Sequence, residues 1–196
     1  MITVGGHTFD KTLLRDGVII DVGARGFEFA RYFYQSGRKT YCIDPDSSVF
    51  ELNERLFNKN LKCFNVAISD KAGESGIYLN GEGTCLKEID PDQNHPFIPC
   101  ETITMDNLYK ITGENVDILK LDCEGAEYII LGETFKPIPK QISVEFHYHT
   151  VPDLHNKHIE GIFNRLAKDY DVHNLVWEEA NGCGFNYWDV LFIRKW

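Results

Sequence analysis

The stretch from Gly17 to Phe33, G-V-I-I-D-V-G-A-R-G-F-E-F-A-R-Y-F, limits what this chain can fold into more than any other. Val18, Ile19 and Ile20 form an apolar run too short for a helix, and the run stops at Asp21 and the glycines Gly23 and Gly26. That pattern reads as a buried parallel strand ending in a turn. Phe29, Tyr32 and Phe33 then recur at helical spacing, so strand, glycine turn and helix follow one another as at the first ligand-binding crossover of a doubly wound sheet. Ligands of such sheets lie beyond the carboxyl ends of the strands, which makes Asp21 to Gly26 the floor of a cofactor site. The plainer reading is a glycine turn that packs helix against strand and holds no ligand.

The next acid sharpens the first reading. A second short strand, Thr40 to Ile43, ends in Asp44, about twenty residues beyond Gly23, where a carboxylate reaches the hydroxyls of a bound ribose. The glycines are spaced G-x-x-G, whereas a dinucleotide site needs G-x-G-x-x-G so that the backbone can approach a pyrophosphate. An adenosine cofactor without a diphosphate, such as S-adenosylmethionine, fits this turn better.

A length of 196 residues suits one domain, 1–196, and the formal charge of −10 argues against binding a phosphate backbone. A small-molecule substrate is expected, with no nucleic acid and no membrane partner. Met1 to Asp10 lacks the basic and apolar regions of a signal peptide, so the expected location is cytoplasmic. The six cysteines, Cys42, Cys63, Cys85, Cys100, Cys123 and Cys183, form no C-x-x-C pair and read as reduced, mostly buried thiols.

Within residues 1–16, Ile2 to Phe9 alternates around Gly5-Gly6 and predicts an edge hairpin that carries no chemistry. A helix capped by Asp46 or Ser47 should follow Asp44, with Val49, Leu52 and Leu56 on one face. Leu61 to Ile68 reads as a third strand closed by a turn at Ser69 to Gly76. Glycines and prolines interrupt residues 80–99, read as an irregular loop and lid over the cofactor edge. Glu101 to Thr104 is extended, Met105 to Ile111 helical, and Val116 to Leu121 a further buried strand.

That last strand ends in Asp122, Glu124 and Glu127. Acids suit a helix start, and for Glu127 capping or surface solvation is the favoured reading. Asp122 differs, because the last residue of a central parallel strand points into the ligand crevice, where a carboxylate without a purpose is costly. Gln141 to Thr150 is another strand, and Glu145, His147 and His149, two apart, share a face. His147 is the expected general base. Together with Asp122 these residues also make a metal set of the kind transition metals accept; a divalent metal is not the favoured reading, since it depends on strand register. Pro152 to His158 reads as a loop, with His155 and His158 more often an exposed helix start, Ile159 to Leu166 as a helix, and Tyr170 to Trp177 and Trp188 to Ile193 as the closing strands.

The runs V-I-I-D-V-G-A-R-G, C-I-D-P-D, N-V-A-I-S-D, T-I-T-M-D-N-L, D-I-L-K-L-D-C-E-G-A-E and V-E-F-H together resemble the FkbM-type S-adenosylmethionine-dependent methyltransferases. K-L-D-C-E-G-A-E, similar to the family's K-I-D-x-E-G-x-E, is the most specific of them. The resemblance implies an α/β fold with a doubly wound, Rossmann-like class I methyltransferase sheet, mostly parallel, of about seven strands with the last antiparallel. It implies S-adenosylmethionine as cofactor and O-methylation of a hydroxyl on a small molecule or sugar. Asp21, Gly23 and Gly26 would line the methionine part and Asp44 the ribose, while Ala67, Ser69 and Asp70 would border the adenine. Arg25 stands where the family commonly has asparagine and is placed to pair with the methionine carboxylate. On this reading His147 takes the acceptor's proton, oriented by Glu145, and Asp122 positions the acceptor or assists proton removal. The chain is short for the family, so the expectation is that substrate-recognition elements are either reduced or supplied by another subunit, in a homo-oligomer or from a partner. Two other classes stay open on these residues: a nicotinamide-dependent oxidoreductase, and a non-catalytic nucleoside-binding module acting with a partner.

Overall fold

The computed structural model describes residues 1–53, 59–78, 85–86, 96–132, 135–136, 138–147, 152–179 and 186–196. In chain order the strands are β1 (Ile2–Val4), β2 (His7–Phe9), β3 (Val18–Val22), β4 (Thr40–Ile43), β5 (Leu61–Phe64), β6 (Ala67–Ile68), β7 (Gly73–Tyr78), β8 (Cys85–Leu86), β9 (Phe97–Ile103), β10 (Val116–Leu121), β11 (Gln141–His147), β12 (Tyr170–Glu179) and β13 (Asn186–Arg194). The helices are α1 (Glu28–Gln35), α2 (Ser47–Asn53), α3 (Met105–Thr112), α4 (Glu127–Ile130) and α5 (Pro152–Leu166).

Seven strands form the main sheet in the order β12-β13-β11-β10-β3-β4-β5. β11, β10, β3, β4 and β5 are mutually parallel. β13 runs antiparallel to β11, and β12 antiparallel to β13, so the reversed last strand is present. Alternation along β3 explains its unbroken apolar run. Val18, Ile20 and Val22 enter one core cluster with Leu119, Leu121 and Val144, whereas Ile19 and Ile118 enter another with Phe9, Phe29 and Phe33. A strand buried on both faces has no polar face to display. Each fully buried Phe or Ile contributes about 1.5–3 kcal/mol of transfer free energy.

β11 alternates instead. Ile142, Val144 and Phe146 face the larger cluster, while Gln141, Ser143, Glu145 and His147 occupy the opposite face. The β1–β2 hairpin covers that polar face. Gln141 Oε1 accepts from Asp10 N at 2.7 Å and Gln141 Nε2 donates to Asp10 O at 3.0 Å. His7 meets Ser143 Oγ at 3.2 Å.

Several expected boundaries move. Leu61 to Ile68 is two strands: the chain leaves the main sheet after Phe64, and Ala67–Ile68 pairs with β9 in a separate four-stranded sheet ordered β6-β9-β7-β8. The break sits at Asn65, whose Nδ2 donates to Asp44 O at 3.1 Å and turns the chain there. Gly73 and Gly76, expected in a turn, begin β7. A Cβ at Gly76 would lie 2.2 Å from the Phe97 ring, so this glycine serves a close strand contact. Pro152 to His158, expected as a loop, is the first half of α5, which proline at the first helical position permits. Most of the expected lid, residues 79–84 and 87–95, lies outside the described residues, as do Leu56, His149 and residues 180–185. Among the described residues no helix is long and apolar enough to cross a membrane.

Candidate active site

The carboxyl ends of β3, β4 and β10 meet at one cavity of about 580 Å³, a size that suits a small ligand. The glycine turn forms its floor because Gly23 alone among residue types fits there. Its φ is +76°, and a Cβ would stand 1.7 Å from Asp122 O. Gly23 N donates to Ile43 O at 2.9 Å and Asp122 N to Val22 O at 3.2 Å, so the ends of three strands are tied at the turn. Among the described residues, only Phe27 (φ 56°) and Glu124 (φ 54°) are non-glycines with positive φ, and both line this cavity. Backbone strain of this kind concentrates where a site must be held in shape.

Lys120, buried in the middle of the site, links its acids. Nζ donates to Gly23 O at 2.6 Å and lies 3.1 Å from Asp21 Oδ1 and 3.3 Å from Asp122 Oδ2. Burial works against the ammonium, but the Asp122 and Asp21 carboxylates outweigh it and hold its pKa above the usual lysine range. The Asp21 Oδ1 atom is buried, and the Lys120 ammonium 3.1 Å away is the charge that compensates it. At the end of β4, Asp44 is 7% exposed and accepts one hydrogen bond, from Asp46 N at 3.0 Å. Burial pushes its carboxyl up to about 6.

Beyond Lys120 the acids crowd. The buried His147 donates from Nδ1 to Glu127 Oε1 at 3.1 Å. Its Nε2 has Glu145 Oε1 at 3.4 Å, Glu124 Oε2 at 3.5 Å and Asp122 Oδ1 at 3.6 Å. Burial pulls the imidazole down, yet Glu127, then Glu145 and Glu124, outweigh it and hold its pKa well above the usual histidine range. For Asp122 burial is likewise overcome, by Lys120, His7 and His147, and its pKa lies below the usual carboxylate range. Glu124, where burial dominates, is pushed up to about 7. Glu127 is fully buried and accepts from Cys123 N at 2.6 Å and Gly125 N at 2.8 Å, so it caps the β10–α4 turn from inside the protein and is not solvated.

Of the residues singled out in the sequence, Asp21, Gly23, Arg25, Gly26, Asp44, Ala67 and Asp122 line the cavity together. Ser69 and Asp70 are not in its wall. Ser69 N donates to Ile103 O at 3.0 Å, which carries the chain away along β9, and the apolar wall is built by Ile68, Ile77 and Leu86 instead. Glu145 and His147 are not in the wall either; they reach it through Asp122 and Glu124. Glu127 holds the His147 Nδ1 proton, and Glu145, from which orientation of the ring was expected, stands 3.4 Å from Nε2.

Three residues escaped the sequence reading. Lys120 had a signal, a lysine inside the apolar run V-D-I-L-K-L, since a buried ammonium must be paired. Glu124 was noticed only as one of three acids at a helix start. His7 had no local signal. The hairpin expected to be inert brings it to Asp122 Oδ2 at 3.4 Å, across 115 residues of sequence.

Comparison with known proteins agrees with this geometry. No curated protein matches the chain. The family described as Methyltransferase FkbM domain matches residues 21–172, a span that begins at Asp21 on the cavity floor and takes in Lys120, Asp122, Glu124 and His147. The match covers more than half of the chain, which therefore belongs to the FkbM methyltransferase family.

Proposed function

We propose that this methyltransferase moves a methyl group from S-adenosylmethionine to a hydroxyl oxygen of a small molecule or sugar, on a doubly wound, Rossmann-like sheet. The observation that carries the reading is the cavity at the ends of β3, β4 and β10, with Asp21, Asp44 and Asp122 in its wall. The residues present fit the cofactor. Asp44 is a buried carboxylate with one backbone donor, and it has acceptor capacity for ribose hydroxyls. Ile68, Ile77 and Leu86 offer an apolar slot for a purine. The Arg25 guanidinium in the cavity wall suits a carboxylate.

When bound, the sulfonium supplies an electrophilic methyl, which leaves two tasks to the protein. One is alignment of the acceptor, which holding reactants in place accomplishes. The other is removal of the acceptor's proton. Asp122 and Glu124 face the cavity and are the groups placed to touch the acceptor. His147 holds a proton among the acids at neutral pH and positions these two carboxylates. The family match favours methyl transfer over nicotinamide chemistry.

Isothermal titration of the folded chain with S-adenosylhomocysteine tests the reading. We expect saturable 1:1 binding that weakens at least tenfold in Asp44→Ala. A folded chain that binds NAD and not S-adenosylhomocysteine would overturn it.

A further inference from the structure

Asp122, Glu124 and His147 offer Oδ1, Oε2 and Nε2 atoms that all lie within 4.8 Å of one another, at the rim of the cavity. We propose that these three residues bind a divalent transition-metal cation, which displaces the Nε2 proton of His147 to solvent and takes that nitrogen and the Asp122 and Glu124 carboxylates as ligands. The remaining positions face the cavity.

Four features converge on this site. The first is spacing. Glu124 Oε2 and Asp122 Oδ1 stand 3.5 and 3.6 Å from His147 Nε2, longer than the roughly 2.7–2.9 Å of a charge-assisted hydrogen bond. Ligands about 2.1 Å from a tetrahedral ion lie about 3.4 Å apart, a spacing these two separations approach.

The second is the support behind the histidine. His147 Nδ1 donates to Glu127 Oε1 at 3.1 Å, and that carboxylate is held in turn by Cys123 N and Gly125 N. A metal-binding histidine characteristically gives its other ring N–H to a carboxylate, which fixes the ring's orientation toward the ion. Glu127 is fully buried, so this support cannot swing away.

The third is the division of Asp122. Lys120 Nζ and His7 Nε2 both address Oδ2, at 3.3 and 3.4 Å, and Oδ1 faces His147. One oxygen is anchored in the protein while the other is presented to the site.

The fourth is charge. Asp122, Glu124, Glu127 and Glu145 surround His147, while the Lys120 ammonium is shared with Asp21. One imidazole and two carboxylates with open positions suit Mn2+, Fe2+ or Zn2+ better than Ca2+ or Mg2+, which favour all-oxygen shells. The metal set considered from sequence was Glu145, His147 and His149 with Asp122; His149 lies outside the described residues, and the set proposed here takes Glu124 on the β10–α4 turn beside Asp122 and His147. An ion there would polarise the acceptor oxygen. That role rests on the methyl-transfer reading, whereas binding of the ion does not.

The test is titration of the full chain with Mn2+, followed by electron paramagnetic resonance of the free ion, with no methyl donor present. We expect one Mn2+ per chain. Glu124→Gln and Asp122→Asn should each weaken binding at least tenfold, and Glu127→Gln, which touches only His147 and the turn, by about 10–100-fold. Asp106→Asn, an exposed acid on α3, should leave binding unchanged. Circular dichroism confirms folding of each variant, and Glu124→Gln decides alone if Asp122→Asn does not fold. No saturable binding at millimolar Mn2+, or binding that survives Glu124→Gln in a folded chain, overturns the proposal. Titration with S-adenosylhomocysteine on the same samples separates the two readings. Cofactor binding without Mn2+ binding sinks the metal site alone, and Mn2+ binding without cofactor binding sinks only the methyl-transfer reading.

Discussion

The two ends of β10 hold buried acids in opposite ways. At the amino end Asp117, fully buried, accepts from Arg15 N at 2.6 Å, Arg38 Nη1 at 2.8 Å and Lys140 Nζ at 2.6 Å. Two cations face one carboxylate, and short charge-assisted bonds use its lone pairs. At the carboxyl end Asp122 belongs to a group of acids that includes Asp21, Glu124, Glu127 and Glu145, with Lys120, His7 and His147 among them. The contacts of His147 Nε2 there run from 3.4 to 3.6 Å. An acid with its cations in place is part of the scaffold. Acids that outnumber their cations are held ready for something else, a common signature of functional sites.

Substitutions at the two ends can break this comparison. Asp117→Ala should have the largest effect, because it leaves Arg38 and Lys140 facing a buried, uncompensated site. Urea denaturation should show a loss of about 3–5 kcal/mol, with S-adenosylhomocysteine affinity retained in the folded protein. A loss below about 1 kcal/mol would mean that Asp117 is not a scaffold group.

Lys120→Met comes next. It leaves Asp21 and Asp122 facing each other across the glycine turn, and Asp122 keeps His7 and His147. We expect a loss of about 3 kcal/mol together with at least tenfold weaker cofactor binding, the double readout that distinguishes this end from the other. Normal binding in a destabilised variant would make Lys120 purely structural.

Asp44→Ala should separate function from stability. Asp44 titrates at about 6, above its ordinary value of 3.8, so between those values the folded chain holds the proton that the unfolded chain releases. Its ionisation therefore costs stability as pH rises through that window, and removing it should leave the free protein at neutral pH as stable as before or more so. Cofactor binding should fall by about 1.5–3 kcal/mol, the worth of hydrogen bonds to a charged group. The same group sets a pH dependence. As pH falls through about 6, Asp44 becomes neutral, and affinity for S-adenosylhomocysteine should drop by up to about tenfold per unit. In Asp44→Asn that slope should vanish, and its persistence would assign the effect to another group.

The smallest effect is expected at Glu145→Gln. This acid lies 3.4 Å from His147 Nε2, is partly exposed and is not in the cavity wall. Removing one of several like charges should change stability by no more than about 0.5 kcal/mol, read as a shift in thermal midpoint.

Much of the scaffold was legible because its signals are local. Val18 to Ile20, Thr40 to Ile43 and Val116 to Leu121 announce buried strands by short, mainly apolar runs, and the acids at their ends, Asp21, Asp44 and Asp122, follow from chain position. The division of Leu61 to Ile68 was not legible. A change of sheet leaves no mark on a short apolar run, and a side-chain hydrogen bond from Asn65 to Asp44 O decides it. Gly76 misled for a related reason, since a glycine that admits a Phe97 ring looks the same in sequence as one that makes a turn.

For the site, the one-dimensional pattern determined which chemistry was available: a turn whose Gly23 tolerates Asp122 O against it, carboxylates where strands end, and a histidine on a strand with alternating polarity. Only the tertiary structure decided how those groups are paired. It placed Glu127 and not Glu145 on His147 Nδ1, set Lys120 between Asp21 and Asp122, and folded the hairpin back so that His7 touches an acid 115 residues away. Periodicity reports which face a side chain takes within its own element. Which charges meet across elements depends on strand order and register, and neither is written in any local window.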